Sequence, residues 1–154
     1  MLQEQETDRN RTLRENALER QTIAEILRLA KERQRTEASQ KVLLVDDVRV
    51  VREVLRKSLE ALGYDVVGAS GGREAVSLFL KQGREFAGVV LDMSMPDLDG
   101  MSTLRALKAI DPSVVVVMSS GSFTEYSSPP TGAAACIQKP CSLERLRTCM
   151  AMTL

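Results

Sequence analysis

From residue 41 onward, short apolar runs are separated by segments in which apolar residues recur every three to four positions. Each run has the length of a buried strand and is bounded by polar residues or glycine. Because the runs are predominantly apolar and do not alternate, they are typical of a parallel sheet covered by helices on both faces. The pattern predicts five strands, at 41–45, 64–69, 86–91, 114–118 and 133–138.

The segments between these runs have the spacing of amphipathic helices. In the first, Val51, Val54, Leu55 and Leu59 fall on one side of a helix, and Gly63 provides a stop. Strands that alternate with helices predict an α/β fold, a doubly wound five-stranded parallel sheet in three layers. The predicted helices cover 48–62, 70–80, 100–110 and a last segment from Ser142 towards Met152.

Residues 1–40 differ from the rest of the chain, because 16 of these 40 residues are charged, against 26 of the following 114. The segment contains neither Gly nor Pro and is rich in residues that favour helices. Ile23, Ile26, Leu27 and Ala30 form a short apolar stripe. We therefore predict a long N-terminal helix at 1–40, serving dimerisation or signalling, ahead of a globular domain at 41–154. Its stripe would pack on a second copy, on its own domain or on another neighbour; a solvated leader is the alternative.

The composition excludes several classes of function. The sequence contains no histidine, which excludes a Ser-His-Asp hydrolase, a histidine-ligated zinc or haem site and a phosphohistidine within these residues. Lys plus Arg and Asp plus Glu both number 21, and there are five aromatic residues. We therefore expect no nucleic-acid partner and no attraction to an anionic membrane.

The sequence also predicts a cytoplasmic protein. The N-terminal residues lack the apolar core of a secretory signal, and the longest wholly apolar run, 114–118, is far too short to span a membrane. The three cysteines form no C-x-x-C pair, which fits unpaired thiols in a reducing compartment.

Chemically useful side chains stand where the predicted strands end. Asp46 and Asp47 follow the first strand, Asp92 the third, Ser119 the fourth and Lys139 the fifth. Parallel strands bring their carboxyl ends to one edge, where such sheets bind ligands. Clustered carboxylates repel one another unless a cation lies among them, and Mg2+ suits oxygen ligands. One carboxylate would then be a nucleophile towards phosphorus, forming an aspartyl phosphate, with a hydroxyl and an ammonium as donors to the phosphoryl oxygens.

Each of these residues also has an ordinary structural explanation. Asp47 is a candidate helix N-cap, and Asp92 precedes a loop with proline in which turn chemistry is common. Ser119 would fill a loop, and Lys139 would be a solvated surface charge. The placement of these side chains after four different strands favours the functional interpretation.

Four segments resemble the receiver domain of two-component response regulators, and most closely the receivers attached to hybrid sensor kinases. They are VLLVDD (42–47), VVLDMSMPDLDG (89–100), MSSG (118–121) and GAAACIQKP (132–140). The resemblance covers nearly all of the globular part. It implies a flavodoxin-like sheet with the strand order 2-1-3-4-5, and a histidine kinase or histidine phosphotransfer protein as phosphodonor.

The resemblance also implies roles for individual residues. Asp92 corresponds to the phosphoacceptor, and Asp46 and Asp47 correspond to the acidic pair that binds Mg2+. The backbone carbonyl of Ser94 is implied as a further metal ligand beside Asp92. Ser119 corresponds to the hydroxyl switch residue.

Lys139 corresponds to the lysine that contacts the phosphoryl group, and the Lys139–Pro140 bond is expected to be cis. Two departures limit the resemblance. Cys136 occupies the position where the family usually has an aromatic switch residue. Pro129 and Pro130 disfavour a long fourth helix, so we expect a shortened or irregular one.

Three functions follow from these observations. The first is a phosphoacceptor module that signals through protein contacts and is not an enzyme, with the N-terminal helix as a homodimer interface. The second is a scaffold or dimerisation module that keeps the receiver fold without phosphorylation. The third is an aspartyl-phosphate hydrolase, which requires a second acid two residues after the nucleophile, where this sequence has Ser94.

Overall fold

The computed structural model describes residues 2–37, 40–124 and 126–154, and its contacts divide the chain into two units, 1–39 and 40–154. The first unit is the helix α1 (Leu2–Glu37). Its apolar side chains at Leu13, Leu18, Ile23 and Ile26 are all more than half exposed. The predicted N-terminal helix is confirmed over residues 2–37; residues 1, 38 and 39 of the prediction lie outside the described residues, and residue 40 is not helical. The helix carries apolar surface that the described contacts of its own unit do not bury.

The second unit alternates strands and helices as the sequence predicts. Its elements are β1 (Lys41–Val45), α2 (Arg49–Ala61), β2 (Asp65–Ala69), α3 (Gly72–Gln82), a 3-10 turn (Gly83–Glu85), β3 (Phe86–Asp92), α4 (Gly100–Ile110), β4 (Val116–Ser120), β5 (Ala135–Gln138) and α5 (Leu143–Thr153).

The five strands form one parallel sheet in the order β2-β1-β3-β4-β5, which confirms the predicted fold class. One buried cluster, centred on Leu43, Leu91 and Met118, lies on one face of the sheet. A second, which includes Leu44 and Val117, lies on the other face. Burial on both faces explains why four successive residues of the interior strand β1, Val42 to Val45, are all apolar.

Several details of the sequence prediction differ from the structure. Val54, which lies on the apolar side of the predicted helix, is 60% exposed. β4 begins two residues later than expected, because the amide of Val114 donates to the carbonyl of Asp111 in a turn after α4. β5 also begins two residues later, because the amide of Ala133 donates to Pro130.

The segment between β4 and β5 is irregular, as predicted. In its described residues, 121–124 and 126–134, the structure contains turns and no helix. Gly63 ends the turn after α2 with a φ of +93°, which suits the predicted stop. Within the described parts of the chain, no helix combines the length and the apolar character needed to cross a membrane.

Candidate phosphoacceptor site

The carboxyl edge of the sheet brings together three carboxylates. Asp46 and Asp47 follow β1, and Asp92 is the last residue of the neighbouring strand β3. One carboxylate oxygen from each of the three lies within 4.8 Å of the others. Asp46 and Asp92 are buried, whereas Asp47 is partly exposed. The convergence expected from parallel strands is therefore present.

Lys139 lies between two of these carboxylates. Its Nζ is 2.5 Å from Asp46 Oδ2 and 3.0 Å from Asp92 Oδ1. The peptide bond that follows it, Lys139–Pro140, is cis, as expected. A buried pair of carboxylates is costly unless a cation compensates it, and the ammonium group supplies one such charge.

Burial and hydrogen bonding act in opposite directions on the pKa of Asp92 and on the pKa of Lys139. Burial raises the pKa of Asp92 above its ordinary value, and the hydrogen bond from Lys139 opposes this effect only in part. Burial lowers the pKa of Lys139, but the hydrogen bonds to Asp46 and Asp92 outweigh it and raise that pKa overall. Lys139 therefore stays protonated and remains a donor.

Asp47 contributes a buried oxygen that makes no hydrogen bond. Among the residues that the structure describes, its Oδ1 is the one buried side-chain oxygen or nitrogen without a hydrogen-bond partner. A buried carboxylate oxygen normally has a partner, so one without any is costly. Asp47 also does not cap α2, whose N-cap is Val48, without a side-chain cap bond. The N-cap explanation of this residue is therefore wrong.

Ser119 and Ser94 flank Asp92. Ser119 is buried in β4 directly opposite Asp92 in the strand register, and its carbonyl accepts from the amide of Met93 at 2.9 Å. The amide of Ser94 donates to Asp92 Oδ1 at 3.4 Å. The structure thus places Ser119 and the amide of Ser94 beside the Asp92 carboxylate.

Two supporting residues were not singled out from the sequence. Arg52 of α2 donates to the carbonyl of Asp46 at 2.6 Å and holds the turn after β1. Gly100 begins α4 against the turn after β3, since a Cβ built there would lie 2.5 Å from the carbonyl oxygen of Asp92. The glycine belongs to a quoted motif and was recognisable, whereas nothing local to Arg52 distinguishes it from other basic residues.

Cys136 lies in β5, as the sequence predicts, and is partly buried against the core. Its Sγ donates to the carbonyl of Ser127 at 3.3 Å, within the irregular segment between β4 and β5. A thiol therefore occupies the place where the resemblance leads one to expect an aromatic ring.

Comparisons with known proteins agree with this architecture. The family model described as the response regulator receiver domain matches residues 42–151. The response regulator MprA of Mycolicibacterium vanbaalenii is 39% identical over 109 residues, covering 69% of this chain and 46% of that protein. The chain thus spans less than half the length of this curated relative.

Solved structures give the same result. A response regulator receiver domain protein from Clostridium thermocellum is 27% identical with a TM-score of 0.67, covering 73% of this chain and 92% of that one. The receiver domain of the sensor histidine kinase PA1611 from Pseudomonas aeruginosa, solved with a magnesium ion in its active-site cleft, is 25% identical with a TM-score of 0.68. That match covers 75% of this chain and 98% of the other. The chain therefore belongs to the response regulator receiver domain family.

Proposed function

We propose that this protein accepts a phosphoryl group on Asp92 and signals through contacts with other proteins. The observation that carries the proposal is the meeting of Asp46, Asp47 and Asp92, with Lys139 bonded to two of them and a buried oxygen of Asp47 without a partner. Such a cluster costs stability in a purely structural role, because buried like charges repel one another. It suits a site that binds a cation and an anionic phosphoryl group.

The donor set fits Mg2+, which prefers carboxylate and carbonyl oxygens and keeps several waters. Asp46, Asp47, Asp92 and the backbone carbonyl of Ser94 would hold the ion. Bound there, the ion neutralises negative charge on the carboxylates and on an approaching phosphoryl group. The partnerless oxygen of Asp47 supports this assignment.

In the proposed transfer, an oxygen of Asp92 forms a bond to phosphorus while the bond from phosphorus to a donor nitrogen breaks. The departing nitrogen keeps the electron pair, and the product is an aspartyl phosphate. The ammonium of Lys139 and the hydroxyl of Ser119 donate to the phosphoryl oxygens. This sequence contains no histidine, so the donor nitrogen belongs to a histidine kinase or histidine phosphotransfer protein outside it.

The proposal extends to the whole chain. Residues 41–154 form the receiver, and residues 1–40 form a helical extension through which two copies associate. Phosphorylation shifts the receiver between two surface conformations, which partner proteins distinguish. The protein acts in the cytoplasm, on proteins and not on nucleic acid.

The scaffold function is the competing proposal. It is favoured by Cys136 at the usual aromatic position and by the absence of a helix in the described residues between β4 and β5. A hydrolase is disfavoured because Ser94 stands where a second acid is needed.

The test of the proposed function is intact-mass analysis after incubation with Mg2+ and acetyl phosphate. We expect one phosphoryl adduct on the wild type and on Asp65→Asn, a control at the start of the distant edge strand β2. Asp92→Asn should carry none, and a chelator or Asp47→Ala should strongly reduce the yield. An adduct on Asp92→Asn, or none on a folded wild type, would contradict the proposal and favour the scaffold.

Self-association through α1 has its own test. Ile26 lies on the exposed apolar stripe, and Gln21 lies on the other side of the same helix. Sedimentation should show a dimer for the full chain and for Gln21→Lys, and a shift to monomer for Ile26→Lys. Equal association of both variants would contradict a dimer through this stripe.

A further inference from the structure

The first turn of α3 has no cap from its own N-terminal residue. The N-cap is Gly71, which has no side chain to accept from the exposed amides of the helix start. The amides of Gly72 and Arg73 instead donate hydrogen bonds to Asp97, which lies in the loop after β3, 25 and 24 residues further along the chain. Asp97 Oδ1 accepts from Gly72 at 3.3 Å and Oδ2 accepts from Arg73 at 3.1 Å. The cap of one helix is thus supplied by the loop that carries the candidate site.

The absence of a side chain at Gly71 leaves space for the Asp97 carboxylate. A Cβ built on Gly71 would lie 2.7 Å from Asp97 Oδ2 and 2.9 Å from its Cγ, closer than side chains approach. The backbone does not itself require glycine, because φ is −174° and ψ is 171°, an extended conformation open to any residue. Gly71 and Asp97 are therefore a matched pair: the missing side chain of one makes room for the cap from the other.

The same loop is attached to the candidate site. It begins at Asp92, whose Oδ1 accepts from the amide of Ser94, and it ends at Gly100, whose amide donates to the carbonyl of Met93 at 3.0 Å. Met95 anchors its middle in the core. Asp97, which lies between Met95 and Gly100, connects this loop to α3 through a tether of hydrogen bonds. Amide hydrogen bonds from Leu98 and Arg73 lower the pKa of Asp97, so the tether is anionic at neutral pH.

We propose that Asp97 is a positioning residue: its carboxylate fastens the loop 93–99 to the start of α3 and thereby holds Asp92 and the carbonyl of Ser94 in the geometry that binds Mg2+. This inference rests on the proposed function, because it concerns the same metal site. Asp97 itself touches neither the metal ligands' side chains nor the phosphoryl position in this scheme. It acts on them through the loop.

The test measures the Mg2+ dissociation constant by calorimetry together with thermal stability. Asp97→Ala should weaken Mg2+ binding by about three- to tenfold, at or below the low end of effects seen on removing support from a metal site, since the tether is exposed. Asp97→Asn should bind Mg2+ with an affinity between those of the wild type and Asp97→Ala, because its single amide oxygen can replace only one of the two carboxylate oxygens that accept from Gly72 and Arg73. Hydrogen exchange at the amides of both Gly72 and Arg73 should accelerate in Asp97→Ala.

Glu74→Ala is the matched control. Glu74 lies in the same first turn of α3 and accepts from the amide and hydroxyl of Ser70, without bonding to the loop after β3. It should lower thermal stability while leaving Mg2+ affinity unchanged. If Asp97→Ala lowers stability but leaves Mg2+ affinity unchanged, or if both variants weaken binding equally, Asp97 is only a helix cap and the proposal is overturned.

A double-mutant cycle tests the matched pair. Gly71→Ala should weaken Mg2+ binding in the wild-type background, because its methyl group displaces the Asp97 carboxylate. In the Asp97→Ala background it should have no further effect. Equal effects in both backgrounds would overturn the proposed tether. A wild type that binds Mg2+ but is never phosphorylated would contradict the proposed function alone and leave this inference standing.

Discussion

The two segments that border the candidate site at the carboxyl edge of the sheet are held in different ways. The loop between β3 and α4, residues 93–99, is bonded to remote elements: Met93 donates to Ser119 of β4, and Asp97 accepts from Gly72 and Arg73 of α3. The segment between β4 and β5, residues 121–134, is described except at 125. Many of its bonds join near neighbours in sequence, such as Thr124 with Ser127.

This difference indicates that residues 93–99 hold the site in a fixed geometry, whereas residues 121–134 form a surface that can rearrange. Residues near a reacting centre must keep their geometry, and bonds to separate elements of a rigid scaffold provide this. A segment with mainly local bonds loses little when it rearranges, and elements that respond to a signal are drawn from such regions. The comparison predicts that the first segment tolerates change poorly and the second tolerates it well.

The largest effect is expected at Met95, the core anchor of the β3–α4 loop, which is 7% exposed. Met95→Ala leaves a cavity, and the free energy of unfolding should fall by about 2–5 kcal/mol. Met152→Ala is the control: this residue is 82% exposed, and its truncation should change stability by less than about 0.5 kcal/mol. Urea unfolding measures both, and equal losses would refute the anchoring role.

A pair of glycine substitutions compares the two regions directly. A Cβ at Gly72 would lie 2.7 Å from the backbone oxygen of Leu98 and even closer to Thr103 Oγ1, so Gly72→Ala should cost about 1–3 kcal/mol of stability. A Cβ at Gly121 would meet nothing within 4 Å. Gly121→Ala should be neutral or stabilise by less than about 1 kcal/mol. A costly Gly121→Ala in urea unfolding would contradict the adaptable segment.

A smaller effect should appear in the pH dependence of Asp99, which caps α4. Hydrogen bonds from Ser102 hold the pKa of Asp99 below its ordinary value. Its stabilisation is therefore complete above the unfolded-state pKa and is lost as the pH falls through the folded-state pKa. The stability difference between wild type and Asp99→Ala, measured by urea unfolding, should shrink on acidification. A difference independent of pH would show that the charge plays no part.

The smallest effect is expected from Ser127→Ala, which removes an exposed bond between the Ser127 hydroxyl and the amide of Thr124. Stability should fall by less than about 1 kcal/mol, because water replaces the lost partner. Phosphoryl acceptance by Asp92 should be unchanged in the mass assay. A large loss of either would show that this segment supports the site.

The sequence predicted much of the fold because its signals are local. The run of four apolar residues after Lys41 predicted β1 with its observed bounds, and the residues that follow a strand are fixed at the edge of a parallel sheet. The helical periodicity did not predict the exposure of Val54. A helical stripe shows which side of a helix is apolar, but it does not show how much of that side the neighbouring strands cover. The predicted starts of β4 and β5 were two residues too early. The amides of the first predicted residues, Val114 and Ala133, form hydrogen bonds within turns, and an apolar pattern does not show such bonds.

The sequence by itself therefore determined the order of the elements and which residues stand at the carboxyl edge, since both follow from neighbours along the chain. The arrangement of distant residues depends on the tertiary structure. It places Lys139 between Asp46 and Asp92, leaves an oxygen of Asp47 without a hydrogen-bond partner, and brings Asp97 against Gly71. These contacts depend on distances set by packing of the whole sheet and its helices, to within a fraction of an ångström, and no local pattern encodes such distances.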